Sequence, residues 1–176
     1  MILLTCACCL YTFSNAQDIT WMLGTWRGVV TEPLFTKNIV ISSVSGRNFK
    51  GTKTNEINNH SHARVTTAIS GYVRKDELFF QYGEVLFKKD PPGGKWWTCF
   101  YCTPENKISL RGDSIILSIT IANCHENCDG TTSYYRLLCE YDSATQLALV
   151  KLLGNPADIE GFTPCSDSLN KVSITD

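Results

Sequence analysis

Cysteine spacing is the feature of this chain with the most direct chemical meaning. Cys99 and Cys102 are separated by two residues, and Cys124 and Cys128 by three. Four thiolates at such spacings could bind zinc, and a Cys-x-x-Cys pair could exchange disulfides. Thiol exchange is typical of a helix N-terminus, which lowers the thiol pKa, whereas this pair lies in an aromatic segment typical of a strand. The choice between zinc and structural disulfides then depends on the redox compartment.

The first residues indicate which compartment that is. Residues 1–13 are uncharged, and Ser14-Asn15-Ala16 places small residues where a signal peptidase reads the chain. This pattern predicts a signal peptide over residues 1–16 and a secreted or periplasmic protein. Of the 9 cysteines, six follow the leader: Cys99, Cys102, Cys124, Cys128, Cys139 and Cys165. An even number in an exported chain predicts disulfides and no bound metal.

The disulfide pairing is a separate question, because six cysteines allow 15 connectivities. We expect the loop from Cys124 to Cys128 to be bonded to the segment containing Cys99 and Cys102. We expect Cys165 to tie the C-terminal tail back to Cys139.

Motifs of known catalytic sites are missing from the sequence. It contains no Gly-x-Ser-x-Gly, no His-Glu-x-x-His and no glycine-rich phosphate loop, so we expect neither an enzyme nor a cofactor. His60-Ser61-His62 could clamp a metal from one strand face, but a polar loop is favoured because a site needs more ligands. Arg111-Gly112-Asp113 matches an integrin-recognition tripeptide, and its residue types favour a turn.

Binding is the remaining chemistry, and its candidates are aromatic and basic side chains. Aromatic rings line apolar cavities, and a basic group there can pair an acidic ligand head group. Arg64 is a further basic residue that could pair an acidic head group. The candidate ligand-binding residues are Trp97, Tyr101, Phe80, Tyr82, Arg27 and Lys53. The alternative is that the aromatic side chains fill a small core.

Composition sets the class of protein that positions these residues. The chain has 176 residues, of which 43% are hydrophobic and 19% charged, so it can form a core. A net charge of -1 argues against a nucleic-acid surface. No apolar run is long enough to predict a transmembrane helix. We expect a signal peptide (1–16), one domain (17–153) and an irregular tail (154–176).

Short alternating segments separated by turn residues predict an antiparallel β-sheet protein. In residues 114–122, Ile115, Leu117, Ile119 and Ile121 share one face, as in a half-buried strand. Residues 96–102 are bulky on both faces, which predicts a cover by a loop, the tail or another copy of the chain. The predicted strands are 26–32, 38–44, 49–54, 64–73, 77–82, 84–87, 96–102, 108–110, 114–122, 134–141 and 146–153.

Gly24-Thr25-Trp26 resembles the first-strand signature of lipocalins, and Glu140-Tyr141-Asp142 with the apolar residues 147–150 resembles a later lipocalin signature. The resemblance to this calycin superfamily implies a single antiparallel up-and-down β-barrel with Trp26 plugging one end. Residues 49–53 are similar to the third strand of avidins. Gly28 and Lys53, however, stand where avidins carry the Asn and Tyr that hold biotin, which excludes biotin.

These observations predict a secreted, lipocalin-like protein that holds a small apolar or amphipathic ligand in its barrel. The alternative is an extracellular interaction protein with a filled barrel, which binds another protein through the aromatic strand at 96–102. Cavity volume distinguishes the two hypotheses.

Overall fold

A closed antiparallel barrel forms the body of the protein, in a computed structural model that describes residues 18–28, 35–57, 62–95, 105–121, 130–155 and 159–165. Neighbours in sequence pair around the barrel, and β8 closes it against β1. The predicted all-β, up-and-down barrel is confirmed. Its strands are β1 (Gly24–Gly28), β2 (Phe35–Ser45), β3 (Asn48–Ile57), β4 (Arg64–Arg74), β5 (Glu77–Lys89), β6 (Glu105–Arg111), β7 (Ser114–Ile121) and β8 (Gly130–Leu137).

Alternation along the strands separates an apolar interior from a polar exterior. Residues directly opposite in an antiparallel pair share a face, so pairing extends the interior from strand to strand. Within β7, the predicted alternation is confirmed at Ile115, Leu117 and Ile119, which are all buried. The buried strand residues that form the core include Trp26, Ile39, Ile41, Phe49, Ile69, Val73, Leu78, Ile108, Ile115, Leu117, Ile119 and Tyr134.

Three tight turns, at 46–47, 75–76 and 112–113, lie at one end of the barrel, which we name the turn end. Gly46, Lys75 and Gly112 adopt positive φ values of 58°, 57° and 57° in these turns. The prediction that Arg111-Gly112-Asp113 forms a turn is therefore confirmed. We name the other end, where β1 finishes and β2 begins, the opposite end.

Trp26 lies in the core and contacts the segment that precedes β1. Its side chain is 0% exposed, and its indole Nε1 donates a hydrogen bond to the carbonyl oxygen of Met22 at 2.9 Å. Met22 belongs to a short 3-10 helix (Thr20–Met22) that precedes β1. The ring of Trp21, also in this helix, meets Trp26 edge-on with centroids 6.1 Å apart. The expected burial of Trp26 is confirmed.

The prediction of a strand at 146–153 is wrong, because this segment belongs to an α-helix, α1 (Ser143–Leu153). Asp142 caps the helix: its Oδ1 accepts from the backbone N–H of Thr145 at 2.9 Å, and its Oδ2 accepts from the Thr145 hydroxyl at 2.8 Å. Such a cap satisfies donors that the first turn leaves unpaired. Leu149 and Val150 bury one face of the helix in the core.

Other predicted boundaries also shift. The strands predicted at 77–82 and 84–87 form one strand, β5, whose register with β4 is irregular between Thr66 and Ile69. The strand predicted at 134–141 ends at Leu137, and a 3-10 helix (Leu138–Glu140) follows it.

A disulfide between Cys139 and Cys165 ties the C-terminal segment to the end of β8, which confirms this predicted pair. Beside it, the backbone N–H of Cys165 donates to Oε1 of Gln146 at 2.9 Å. The side-chain amide of Gln146 donates to the carbonyl oxygen of Tyr141 at 2.7 Å. Gln146 is only 1% exposed, so the tail is held by a disulfide to the segment that follows β8 and by a buried hydrogen bond to α1.

Candidate ligand-binding site in the barrel interior

The centre of the candidate site is a hydrogen bond between two sequence-predicted residues. The Nζ atom of Lys53 donates to the hydroxyl oxygen of Tyr82 at 2.7 Å. The nitrogen lies 4.8 Å from the centroid of the Tyr82 ring, so the short contact is made with the hydroxyl group. The structure thus brings together Lys53 from β3 and Tyr82 from β5.

Strand register places both side chains inside the barrel. Lys53 lies opposite Ile39 of β2 and opposite Thr67 of β4, and both of these residues are buried. Tyr82 lies opposite Ile69 of β4, which is also buried. Because paired residues share a face, Lys53 and Tyr82 belong to the interior set.

Burial shifts the protonation of both groups towards their neutral forms. It lowers the pKa of Lys53 to about 8 and raises the pKa of Tyr82 to about 12. The physical cause is the same for both, since an apolar surrounding disfavours the charged form. At neutral pH Lys53 is mostly an ammonium group and Tyr82 a neutral phenol.

No carboxylate among the residues that the structure describes forms an ion pair with Lys53. Ion pairs in that part of the chain include those of Arg27 and Arg136 with Glu140, and of Lys88 with Asp90. Buried charges in proteins are usually paired, because desolvation of an isolated charge is costly. Lys53 is therefore a cation in the barrel interior whose described hydrogen-bond partner is a neutral phenol.

Two further interior polar atoms lack a hydrogen-bond partner within the described part of the protein: the hydroxyl oxygen of Tyr134 and Oδ1 of Asn55. Tyr134 is 0% exposed and lies opposite the buried Leu117. Its pKa is raised by burial and by the neighbouring Tyr82. Asn55 lies opposite the buried Val65, two residues beyond Lys53 towards the opposite end. Buried polar atoms without a partner are rare and indicate a water or a ligand.

Arg27 and Arg64 do not contribute to this interior. The Arg27 side chain is 50% exposed, and its guanidinium binds Oε1 of Glu140 at 2.6 Å. The guanidinium of Arg64, an exposed residue, stacks over the Phe87 ring at 4.5 Å. The neighbour of Arg27 in β1 is the buried Trp26, and alternation turns Arg27 outwards. Of these basic residues, Lys53 alone faces the interior.

The remaining predicted site residues are placed only in part. Phe80 belongs to β5 and lies opposite Gly71. Several other predictions lie outside the described residues: the signal peptide at 1–16, His60, and the strand at 96–102. Six of the predicted site residues also lie outside the described residues: Trp97, Tyr101, Cys99, Cys102, Cys124 and Cys128.

Sequence reasoning missed Tyr134 and Asn55. Tyr134 and Tyr135 are adjacent aromatic residues, and the sequence does not show which of the two rings faces inwards. The register of β8 with β7 decides it, because Tyr134 lies opposite Leu117. The polar residues around Asn55 favour a loop in the sequence, whereas β3 continues to Ile57.

Comparison with known proteins found no matching family model, no matching curated protein and no matching solved structure. In the described part of the chain, no helix is long and apolar enough to span a membrane.

Proposed function

We propose that the protein is a secreted or periplasmic, lipocalin-like binding protein that carries a small amphipathic molecule with an acidic head group inside its barrel. Lys53 forms the ion pair with the head group, and Tyr82 positions the Lys53 amine and donates a hydrogen bond. The apolar part of the ligand packs against interior side chains such as Ile39, Ile69 and Val65.

The observation that carries the proposal is the Lys53 ammonium without an ion-pair partner among the described residues. A carboxylate beside it would offset its desolvation, and a charge-assisted hydrogen bond is stronger than a neutral one. The Tyr134 hydroxyl and Asn55 Oδ1 are further polar atoms that a bound ligand or water could satisfy. Small eight-stranded barrels either fill with side chains or hold one ligand, and buried unpaired polar atoms favour the second arrangement.

The proposal is for binding without turnover. The ion pair and the hydrogen bond act on the ground state of a carboxylate, and such interactions do not accelerate a reaction unless they strengthen in its transition state.

The proposed location rests on the disulfide and on the predicted leader. The Cys139–Cys165 bond fits an oxidising compartment, since disulfides persist in secreted and periplasmic proteins and are rare in the cytosol.

A set of ligands with one chain length and different head groups tests the proposal. Tryptophan fluorescence of the oxidised protein is titrated with dodecanoate, dodecanol and dodecylammonium. We expect saturable, one-to-one binding of dodecanoate, at least about tenfold tighter than that of dodecanol, because a hydrogen bond to a charged group contributes about 1.5–3 kcal/mol. Dodecylammonium should bind weakest, because it places a second cation beside Lys53.

Two variants in the same strand complete the test. Lys53→Met removes the amine and keeps the length of the side chain, and it should abolish the preference for dodecanoate over dodecanol. Lys50→Met changes an exposed lysine of β3 and should leave both affinities unchanged. Absence of saturable binding by the folded protein would contradict the proposal and favour a filled barrel that binds another protein.

A further inference from the structure

We propose that Lys53 is also a covalent site, at which aldehydes with an apolar chain are held as a reversible imine and Tyr82 transfers the protons of the reaction. The inference rests on the proposed function, since the aldehyde must enter the same barrel. It adds a second class of ligand, carbonyl compounds, and a chemical bond.

The geometry supplies the two groups that imine formation needs. The nucleophile is the primary amine of Lys53, and the proton donor is the phenol of Tyr82, whose oxygen lies 2.7 Å from Nζ. A hydroxyl group this close to the attacking nitrogen can exchange protons with that nitrogen and with the oxygen of the carbonyl to which it bonds. Both groups are half-buried and share the interior face with the buried residues Ile39, Thr67 and Ile69.

The protonation state agrees with this role. With a pKa of about 8, roughly one Lys53 amine in ten is neutral at pH 7, compared with roughly one in three thousand for an ordinary lysine of pKa 10.5. Only the neutral amine has the lone pair that attacks a carbonyl carbon, and desolvation is a known way to activate lysine.

The atoms balance without an additional reactant. The nitrogen lone pair forms a bond to the carbonyl carbon, and the carbonyl π pair moves to oxygen, which takes a proton from the Tyr82 hydroxyl. Tyr82 regains a proton from the nitrogen, which gives a neutral carbinolamine. Loss of the hydroxyl group with the second nitrogen proton releases one water and leaves the C=N bond. Hydrolysis reverses each step and frees the aldehyde.

The titratable phenols at this site come from separate strands. Tyr82 and Tyr134 face it from β5 and β8, and both are neutral phenols at neutral pH because burial raises the pKa of each. Neither adds a negative charge that would hold Lys53 in its protonated form at neutral pH.

Reductive trapping with decanal tests the inference. The oxidised protein is incubated with decanal and cyanoborohydride, which reduces an imine to a stable secondary amine, and the product is analysed by intact mass and peptide mapping. We expect saturation at one decyl group per protein, located on Lys53. Lys53→Met should prevent this modification, whereas Lys50→Met should not.

Tyr82→Phe separates proton transfer from binding. This variant keeps the ring and removes the hydroxyl, so trapping at Lys53 should slow at least about tenfold while decanal still competes with a fluorescent apolar probe. An unchanged trapping rate in Tyr82→Phe would overturn the role of Tyr82.

Decanoate titration distinguishes this inference from the proposed function. If decanoate binds and decanal modifies exposed lysines equally in the native protein and in Lys53→Met, the covalent site is refuted and the carrier function stands. If decanoate does not bind and decanal does not modify Lys53 in the folded protein, the proposed function and the covalent site are both refuted.

Discussion

Lys53 and Tyr82 form a 2.7 Å hydrogen bond inside the barrel, although they are 29 positions apart in sequence and lie on strands that are not neighbours. The bond passes over β4, which lies between their strands. Only a long side chain and a large ring can meet across that distance. Replacing either residue therefore removes a contact between two strands that are not neighbours and changes the electrostatics of the interior.

The first prediction concerns Lys53 and pH. The folded pKa of Lys53, about 8, is below the 10.5 of the unfolded chain, so the unfolded state binds more protons between these two values. The free energy of unfolding therefore rises with pH across this range. Relative to Lys53→Met, the native protein should gain about 1–2 kcal/mol between about pH 7.5 and about pH 9.5, measured by urea unfolding with the disulfides intact.

Lys50→Met serves as the control for this measurement, because Lys50 is exposed on the same strand. The difference in free energy of unfolding between Lys50→Met and the native protein should stay constant over the same pH range. A native protein that gains no stability relative to Lys53→Met would show that the Lys53 amine is well solvated.

The second prediction concerns Gly24, whose φ is +112°. A Cβ atom there would lie 2.9 Å from Nη1 of Arg136. That guanidinium is held by the carbonyl oxygen of Leu23, by Glu140 and by the Tyr141 ring, so it cannot move without losing contacts. Gly24→Ala should lower the free energy of unfolding by about 2–3 kcal/mol.

Gly46→Ala separates crowding from backbone strain. Gly46 also has a positive φ, +58°, but a Cβ atom there would have open space around it, with nothing beyond its chain neighbours within 4 Å. This variant should cost about 1 kcal/mol, the penalty of a left-handed conformation alone. Equal costs for the two variants, measured by urea unfolding, would show that Arg136 adjusts freely.

The third prediction concerns Gln146, which joins α1 to the tail. Gln146→Leu removes the donor to the Tyr141 carbonyl and the acceptor of the Cys165 N–H, and leaves both backbone groups without these partners. The expected loss of stability is about 2–4 kcal/mol. Leu147→Ala, at the next and exposed position, should cost about 0.5 kcal/mol or less. Similar melting shifts for the two variants would contradict the structural role of Gln146.

The barrel could be predicted from the sequence because its signals are local. Alternation of apolar and polar residues in 114–122 and turn residues such as Gly112 report directly on strands and their ends. The helix at Ser143–Leu153 is harder to identify, because its short apolar run is also compatible with a buried strand. The capping pattern of Asp142 with Thr145 is the signal that could have identified it.

The site could be predicted less well, because it depends on register. Lys53, Arg27 and Arg64 are equivalent candidates in the sequence, and only pairing shows that Lys53 shares a face with Ile39 and Thr67. A register shift between Ile41 and Ser43 changes which residues of β2 face inwards. The local sequence of β2 does not predict this shift. The contact of Lys53 with Tyr82 also requires barrel closure, which is a property of all the strands together.

The fourth prediction concerns the disulfide between Cys139 and Cys165, which closes a loop with a sequence separation of 26. Removing a cross-link of this size increases the entropy of the unfolded chain, and the expected loss of stability is about 3 kcal/mol. The double variant Cys139→Ser/Cys165→Ser isolates this bond, whereas a reducing agent would act on every disulfide of the protein. Urea unfolding measures the loss. The single variant Cys139→Ser should lose as much as the double variant, because either change removes the bond, and an unaltered midpoint in both would show that the tail contributes no stability through this link.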